Sequence, residues 1–400
     1  MDLFAKAQAF AIARRRSKLG PSPFVRSLEA RIGTKVEFNG KGLLLLSSND
    51  YLGLTHDPRL IDASTGALHR WGTGCSGSRL LSGNLALHET LERKLAEFYE
   101  MESAIVFATG FQAAIGTLPA LADKGDFIFS DEANHACIID GCRLSHASVK
   151  VYRHNDMEDL EASLSEVPLD AGKLIVSDGV FSTTGHLVPY DEIHALAKKY
   201  RARTYLDDAH ALGVLGNGGR GTASHFGVPA DIVMGTFSKS LASQGGFVVT
   251  SREIVDWLRY RARSFAFSDA LAPASAAAAL KALEILIETP GIVQTVNDNA
   301  SYLKDGLHAL GIRTLQSVTP IIPVLIGDES TAFGVCESLL NSGIFTTPMV
   351  HPAVPKGLAL IRCSVMATHT KEDLDFALRA FSSVASAILA ANDAHSDRER

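Results

Sequence analysis

The stretch Met234-Gly235-Thr236-Phe237-Ser238-Lys239-Ser240-Leu241-Ala242-Ser243-Gln244-Gly245-Gly246-Phe247 sets one lysine among small hydroxyl and glycine residues. An apolar run, Asp231-Ile232-Val233-Met234, leads into it, and another, Phe247-Val248-Val249-Thr250, follows at once. Stripping the hydration shell from an ammonium is costly unless the group is paired or its pKa shifts. A lysine between two buried strands therefore reads as a Schiff-base nucleophile for a carbonyl. The same residues also suit a surface lysine reaching past a glycine turn. The rest of the chain has to decide between them.

Working outward, apolar runs recur at 104–107, 127–129, 149–152, 174–177, 204–206, 232–235 and 247–250, with helical periodicity at 111–122, 156–166 and 191–200. Near-continuous apolar strands alternating with helices predict a mostly parallel sheet covered on both faces. Ligands of such sheets bind beyond the carboxyl ends of the strands. Thr109, Gly110, Asp131 to His135, Ser182, Asp207 and Lys239 all fall at those ends. Upstream, residues 1–50 predict an amphipathic helix, laid on the body or on a partner subunit, and a small hairpin around Asn39-Gly40-Lys41-Gly42. A large domain over 51–288 closes with an alanine-rich helix. A smaller α+β domain over 289–400 has strands at 321–326 and 358–365 and a last helix from Lys371.

Composition excludes several classes. Four hundred residues at 46% apolar and 20% charged describe a globular protein too long for one core. A net charge of −6 leaves no footprint for nucleic acid. No apolar run approaches the ~18 residues that span a bilayer, and Met1 to Arg16 lacks a secretory h-region. Five cysteines without CxxC spacing read as free thiols of a reducing cytosol, so the expected location is cytoplasmic.

The candidate chemistry is spread along the chain. Ala108-Thr109-Gly110-Phe111-Gln112 stands between strand and helix, where free N–H groups attract phosphate, although a routine turn has the same sequence. Tyr205-Leu206-Asp207-Asp208-Ala209-His210 ends a buried strand with two carboxylates aimed at opposite faces. A metal site there lacks further ligands at suitable spacing. A strand-end carboxylate facing a ring nitrogen is a partner for a pyridinium cofactor, and a hydrogen-bonded loop pair is the plainer alternative. His135, in Asp131-Glu132-Ala133-Asn134-His135, suits stacking on a flat ring or an ordinary structural role. Phe181-Ser182-Thr183-Thr184-Gly185 offers hydroxyls at the next strand end. Together these features match the needs of pyridoxal 5′-phosphate (PLP).

In combination, Ser47-Ser48-Asn49-Asp50-Tyr51-Leu52-Gly53-Leu54, Asp207-Asp208-Ala209-His210 and Thr236-Phe237-Ser238-Lys239 resemble the α-oxoamine synthases. That resemblance covers roughly residues 20 to 390. It implies a fold-type I PLP-dependent transferase of the aspartate aminotransferase kind. The reaction implied is the decarboxylative condensation of an amino acid with an acyl-CoA. Gly72-Thr73-Gly74-Cys75-Ser76-Gly77-Ser78-Arg79, Gly235 to Phe247 and Leu360-Ile361-Arg362-Cys363-Ser364 are most similar to the soluble bacterial serine palmitoyltransferase branch. L-serine, a long-chain donor such as palmitoyl-CoA and an aminoketone such as 3-ketodihydrosphingosine are the implied reactants and product.

By the same resemblance, Lys239 would bind PLP and then remove the Cα proton. Asp207 would pair with the ring nitrogen and His135 would stack on the ring. Ser182 and His210 would bond the phenolic oxygen. Gly110, Phe111 and Thr236 would hold the phosphate, joined by Ser268 of a second subunit in a homodimer. Asn49 and Arg362 would grip the substrate carboxylate, and no metal is implied. The alternatives are 8-amino-7-oxononanoate synthase, glycine C-acetyltransferase, a natural-product aminoketone synthase, another fold-type I enzyme, or a catalytically silent partner subunit.

Overall fold

In the computed structural model, which describes residues 2–16 and 23–396, the apolar runs fold as fourteen strands. In chain order these are β1 Ala30–Ile32, β2 Lys35–Phe38, β3 Lys41–Leu45, β4 Ser103–Phe107, β5 Phe127–Asp131, β6 Ser148–Tyr152 and β7 Lys173–Asp178. They continue with β8 Arg203–Asp207, β9 Ile232–Thr236, β10 Gly246–Thr250, β11 Ile321–Gly327, β12 Ile344–Phe345, β13 Thr347–Met349 and β14 Ala359–Ser364.

A seven-stranded sheet runs β4-β10-β9-β8-β7-β5-β6. It is parallel from β9 to β6, whereas β10 is antiparallel to both neighbours. Every residue of β7, β9 and β10 is buried, the result of covering a sheet on both faces. The edge strand β6 buries only Tyr152. One face packs Ile105, Val176 and Val248 against the helices Gly110–Leu121, Ala136–Leu144 and Arg252–Arg261. The opposite face packs Phe129, Ile175 and Leu206 against the helices Met157–Ser165 and Tyr190–Tyr200.

A three-stranded antiparallel sheet, β11-β14-β13, forms the second centre. The helix Lys371–Ser396 places Leu374, Ala377, Phe381, Val384 and Ile388 on that core. Its segment Lys371–Asn392 is long and apolar enough to cross a membrane by length and composition alone, and one face of it is buried on that core. The hairpin of β2 and β3 turns at Asn39 and Gly40, both at positive φ. It does not stand apart, because β3 pairs in parallel with β12, and Leu44 and Leu46 join the C-terminal core. The helix Ala5–Arg16 is not laid on the body of its own chain, since Phe4 and Phe10 are 66% and 68% exposed. All five cysteines are free.

The carboxyl ends of β5, β7, β8 and β9 deliver Asp131, Asp178, Asp207 and Thr236 to one edge of the sheet. Asp208 points the other way and is fully buried. Its Oδ2 accepts the Thr222 N–H at 3.0 Å, while Oδ1 has no hydrogen-bond partner among the described residues. Any side chain at Gly221, which lies at φ +83°, would run into this carboxylate. Burial pushes the Asp208 carboxyl up to about 7, against the pull of the Thr222 bonds.

A carboxyl whose pKa is higher folded than unfolded favours the fold most below its unfolded value, near ~4. That contribution is lost as pH rises through about 7. Asp208→Asn should therefore lose less thermal stability than the parent between pH 4 and 8. Melting curves of both proteins across that range check this, and parallel curves would refute it.

Candidate active site

The loop between β9 and β10 holds Lys239 from both sides. Phe237 is buried and stacks on Phe247 with ring centroids 5.5 Å apart. Its N–H donates to the Gly245 carbonyl, and its carbonyl accepts the Ser243 N–H at 2.9 Å. The Ser240 hydroxyl donates to the Leu212 carbonyl at 2.6 Å. Between these ties the half-buried Lys239 lines a cavity of about 330 Å³. Among the described residues its amine has no hydrogen bond or ion pair. Desolvation lowers its pKa to about 8, opposed by the nearby carboxylates of Asp207 and Asp178 and reinforced by Arg362.

Asp207 and Asp178 are cross-strand neighbours. Asp207 accepts the Ala209 N–H at 2.9 Å and faces the Cys137 thiol at 3.7 Å. Asp178, a wall residue that the sequence did not single out, accepts the His135 N–H at 3.0 Å. Burial, with the Asp207 charge beside it, holds the Asp178 carboxyl well above the usual range. His135 begins the helix Ala136–Leu144, and its Nδ1 accepts the Cys137 N–H. Desolvation lowers its pKa while Asp207 raises it.

At another wall, Thr109 caps the helix Gly110–Leu121 by accepting the Gln112 N–H. The Gly110 and Phe111 N–H groups have no partner among the described residues, and both residues line the cavity with Thr236. A Cβ on Gly110 would lie 2.9 Å from the Thr236 Cβ, so glycine keeps this cradle open.

Ser182 and His210 complete the wall. Behind them lies Tyr51, which the sequence placed only inside a motif. It is fully buried, and its hydroxyl sits 2.6 Å from His210 Nδ1, 3.3 Å from Arg362 Nη2 and 3.4 Å from Asn49 Oδ1. Burial lowers His210 and raises Tyr51, the latter opposed by Arg362. Arg362 also donates to the Ser182 carbonyl at 2.5 Å and to the Ser364 hydroxyl at 2.7 Å. Asn49 and Arg362 thus meet through Tyr51 rather than at the cavity wall. Ser268 is not brought to that wall either; it accepts the Gln112 amide at 3.0 Å.

The donor set fits PLP. Unpaired helix N–H groups suit a phosphate, a strand-end carboxylate without a cationic partner suits a ring N–H, and an unpaired amine suits an aldehyde. Among the described residues no cluster of three or more His, Cys, Asp or Glu could hold a metal.

The profile of the family described as "Aminotransferase class I and II" matches residues 41–381. The chain belongs to this family. The 8-amino-7-oxononanoate synthase of Thermoanaerobacter pseudethanolicus is 49% identical over 360 residues, covering 89% of this chain and 91% of the relative. The serine palmitoyltransferase of Sphingobacterium spiritivorum is 45% identical over 371 residues, covering 92% and 93%. A solved serine palmitoyltransferase that holds PLP superposes with a TM-score of 0.94 at 34% identity, over 97% of this chain and 99% of that one. The fold is therefore that of a fold-type I PLP transferase, PLP is the cofactor, and the relatives are α-oxoamine synthases.

A free lysine titrates near ~10.4. In the cofactor-free protein, reductive methylation of Lys239 should rise with a midpoint near pH 8, because the neutral amine is the reactive form. Peptide mass spectrometry across a pH series measures it, and a midpoint like that of the surface lysines would refute the desolvation argument.

Proposed function

We propose that this α-oxoamine synthase condenses L-serine with a long-chain acyl-CoA such as palmitoyl-CoA, releasing CO2 and CoA and yielding an aminoketone. The observation that carries the reading is the presence in one cavity of Lys239, lowered to about 8 and without a bond among the described residues, and of the strand-end carboxylate of Asp207. Bound PLP supplies the electron sink for the pair left when Cα loses its proton.

Lys239 is the group that takes that proton, since its neutral form is accessible near physiological pH. Asp207 would hold a proton at the ring nitrogen of the bound cofactor, and His135 would cover a ring face. Ser182 and His210, both at the cavity wall, would bond its phenolic oxygen. Gly110 and Phe111 offer N–H groups to the phosphate, with the Thr236 hydroxyl beside them. Arg362 has five N–H donors, of which the Ser182, Ser364 and Tyr51 bonds use three. Two donors remain for a carboxylate, and Asn49 shares the Tyr51 hydroxyl with Arg362.

A second copy of the chain is part of the proposal. Ser268 belongs to the cavity of the partner in this reading, which agrees with its place outside its own. Exposed apolar side chains nearby, Leu81 and Phe267, support a covered surface there.

The 49% identical relative favours a second reading, in which the chain condenses a different amino acid and acyl donor, as an 8-amino-7-oxononanoate synthase does. A matrix of serine, glycine and alanine against short and long acyl-CoA donors decides, read by CoA release and product mass. Serine with a long-chain donor should give the highest kcat/KM, and preference for another pair would refute the serine assignment. CoA release without an amino acid would refute the condensation.

Lys239→Ala should lose the near-visible absorbance of the lysine-bound cofactor and fall at least about a thousandfold in turnover. A variant that keeps both overturns the lysine assignment. Gel filtration should show a dimer, and an active monomer would remove the role given to Ser268.

A further inference from the structure

A second polar chain lies beside the cavity without lining it. Asp131, at the end of β5, is 1% exposed. Its carboxylate accepts the N–H groups of Ala133 at 2.8 Å and Asn155 at 2.9 Å. His154 Nδ1 lies 3.0 Å from the same carboxylate. Against an acceptor-only carboxylate, the neutral His154 ring carries its proton on Nδ1, which leaves Nε2 as an acceptor. Nδ1 of His186 is 2.9 Å from that Nε2, and the two ring planes are within 15° of parallel. The order is therefore Asp131 accepting from His154, and His154 accepting from His186.

What this chain grips is the turn 181–187. Within the turn, the Gly185 N–H donates to the Phe181 carbonyl and the Phe181 N–H to the His186 carbonyl. On one flank, Asn155 donates to the Leu187 carbonyl at 3.1 Å, and the Phe181 ring meets the His154 ring edge-on at 4.3 Å. On the other flank, Arg362 donates to the Ser182 carbonyl, and a Cβ on Gly185 would lie 2.6 Å from the Ser317 hydroxyl. Ser182 itself lines the cavity.

We propose that the Asp131–His154–His186 chain is a positioning device that fixes the turn 181–187, and with it the Ser182 side chain at the cavity wall and the Ser182 carbonyl against Arg362. His154 and His186 act through Ser182 and touch neither cofactor nor substrate. The effect on cofactor binding rests on the reading of Ser182 as a PLP contact; the ordering of the turn does not.

The test compares the full-length parent with His186→Ala and His186→Asn. The asparagine amide supplies an N–H donor where the ring Nδ1 stood. Hydrogen exchange of the cofactor-free proteins should be faster across 181–187 in His186→Ala and return to the parent rate in His186→Asn. Absorbance titration should show PLP affinity weakened about tenfold in the alanine variant, the scale of one lost buried hydrogen bond, and restored to within about twofold by asparagine. Unchanged exchange in His186→Ala overturns the proposal, as does an asparagine variant that exchanges as fast as alanine. A parent protein that fails to bind PLP while the exchange pattern holds overturns the functional reading and supports the positioning.

Discussion

The structure around the cavity depends on one electrostatic constraint. Two carboxylates on adjacent strands, Asp178 and Asp207, and one amine, Lys239, are brought into the same poorly hydrated space. No hydrogen bond or ion pair joins the amine to either carboxylate among the described residues. Desolvation dominates both Asp178 and Lys239, pushing the carboxyl up and the amine down. Both shifts favour neutral forms, and a neutral amine is the nucleophile that carbonyl chemistry requires. The parallel sheet makes this arrangement possible, because its register sets Asp178 opposite Asp207 and carries β9 alongside.

Around that centre the polar groups are organised in layers. The helix Gly110–Leu121 presents unpaired N–H groups at one end of the cavity. Behind the wall, Tyr51 joins its near neighbour Asn49 to His210 and Arg362 from two distant segments of the chain. Arg362 spans two structural centres, since it lies on β14 of the C-terminal sheet and bonds a turn of the large sheet. A substrate carboxylate held by Arg362 would therefore sit where the two sheets meet.

Much of this was legible in the sequence, and for a physical reason. Doubly covered strands must be apolar throughout, so β4, β5, β7, β8, β9 and β10 are visible as runs, and the polar residues that end them stand out. Lys239, Asp207, His135, Ser182 and Gly110 were found in that way. Asp178 was not, because an aspartate before a glycine, Asp178-Gly179, reads as an ordinary turn until the register places it beside Asp207. Tyr51 was hidden because a buried tyrosine is common, and only the fold reveals which partners its hydroxyl meets. The helix Ala136–Leu144 escaped because it is short and contains Gly141 and two cysteines, and Glu329–Asn341 because Ser330, Thr331 and Gly334 dilute its period. The pairing of β3 with β12 joins residues about three hundred apart, which no local pattern encodes.

The antiparallel placement of β10 has a further consequence. A parallel neighbour would require a long crossover with its own helix. Instead, nine residues join Thr236 to Gly246, and those two residues face each other across the ladder. The reactive nitrogen is thus mounted on a closed loop whose two feet belong to the most buried part of the sheet. Such a mount tolerates little change in length: inserting or deleting a residue here would break the loop's closure or the register of β10. The spacing between Thr236 and Gly246 is in that sense a ruler, and it fixes the reach of the lysine as firmly as the side chain does.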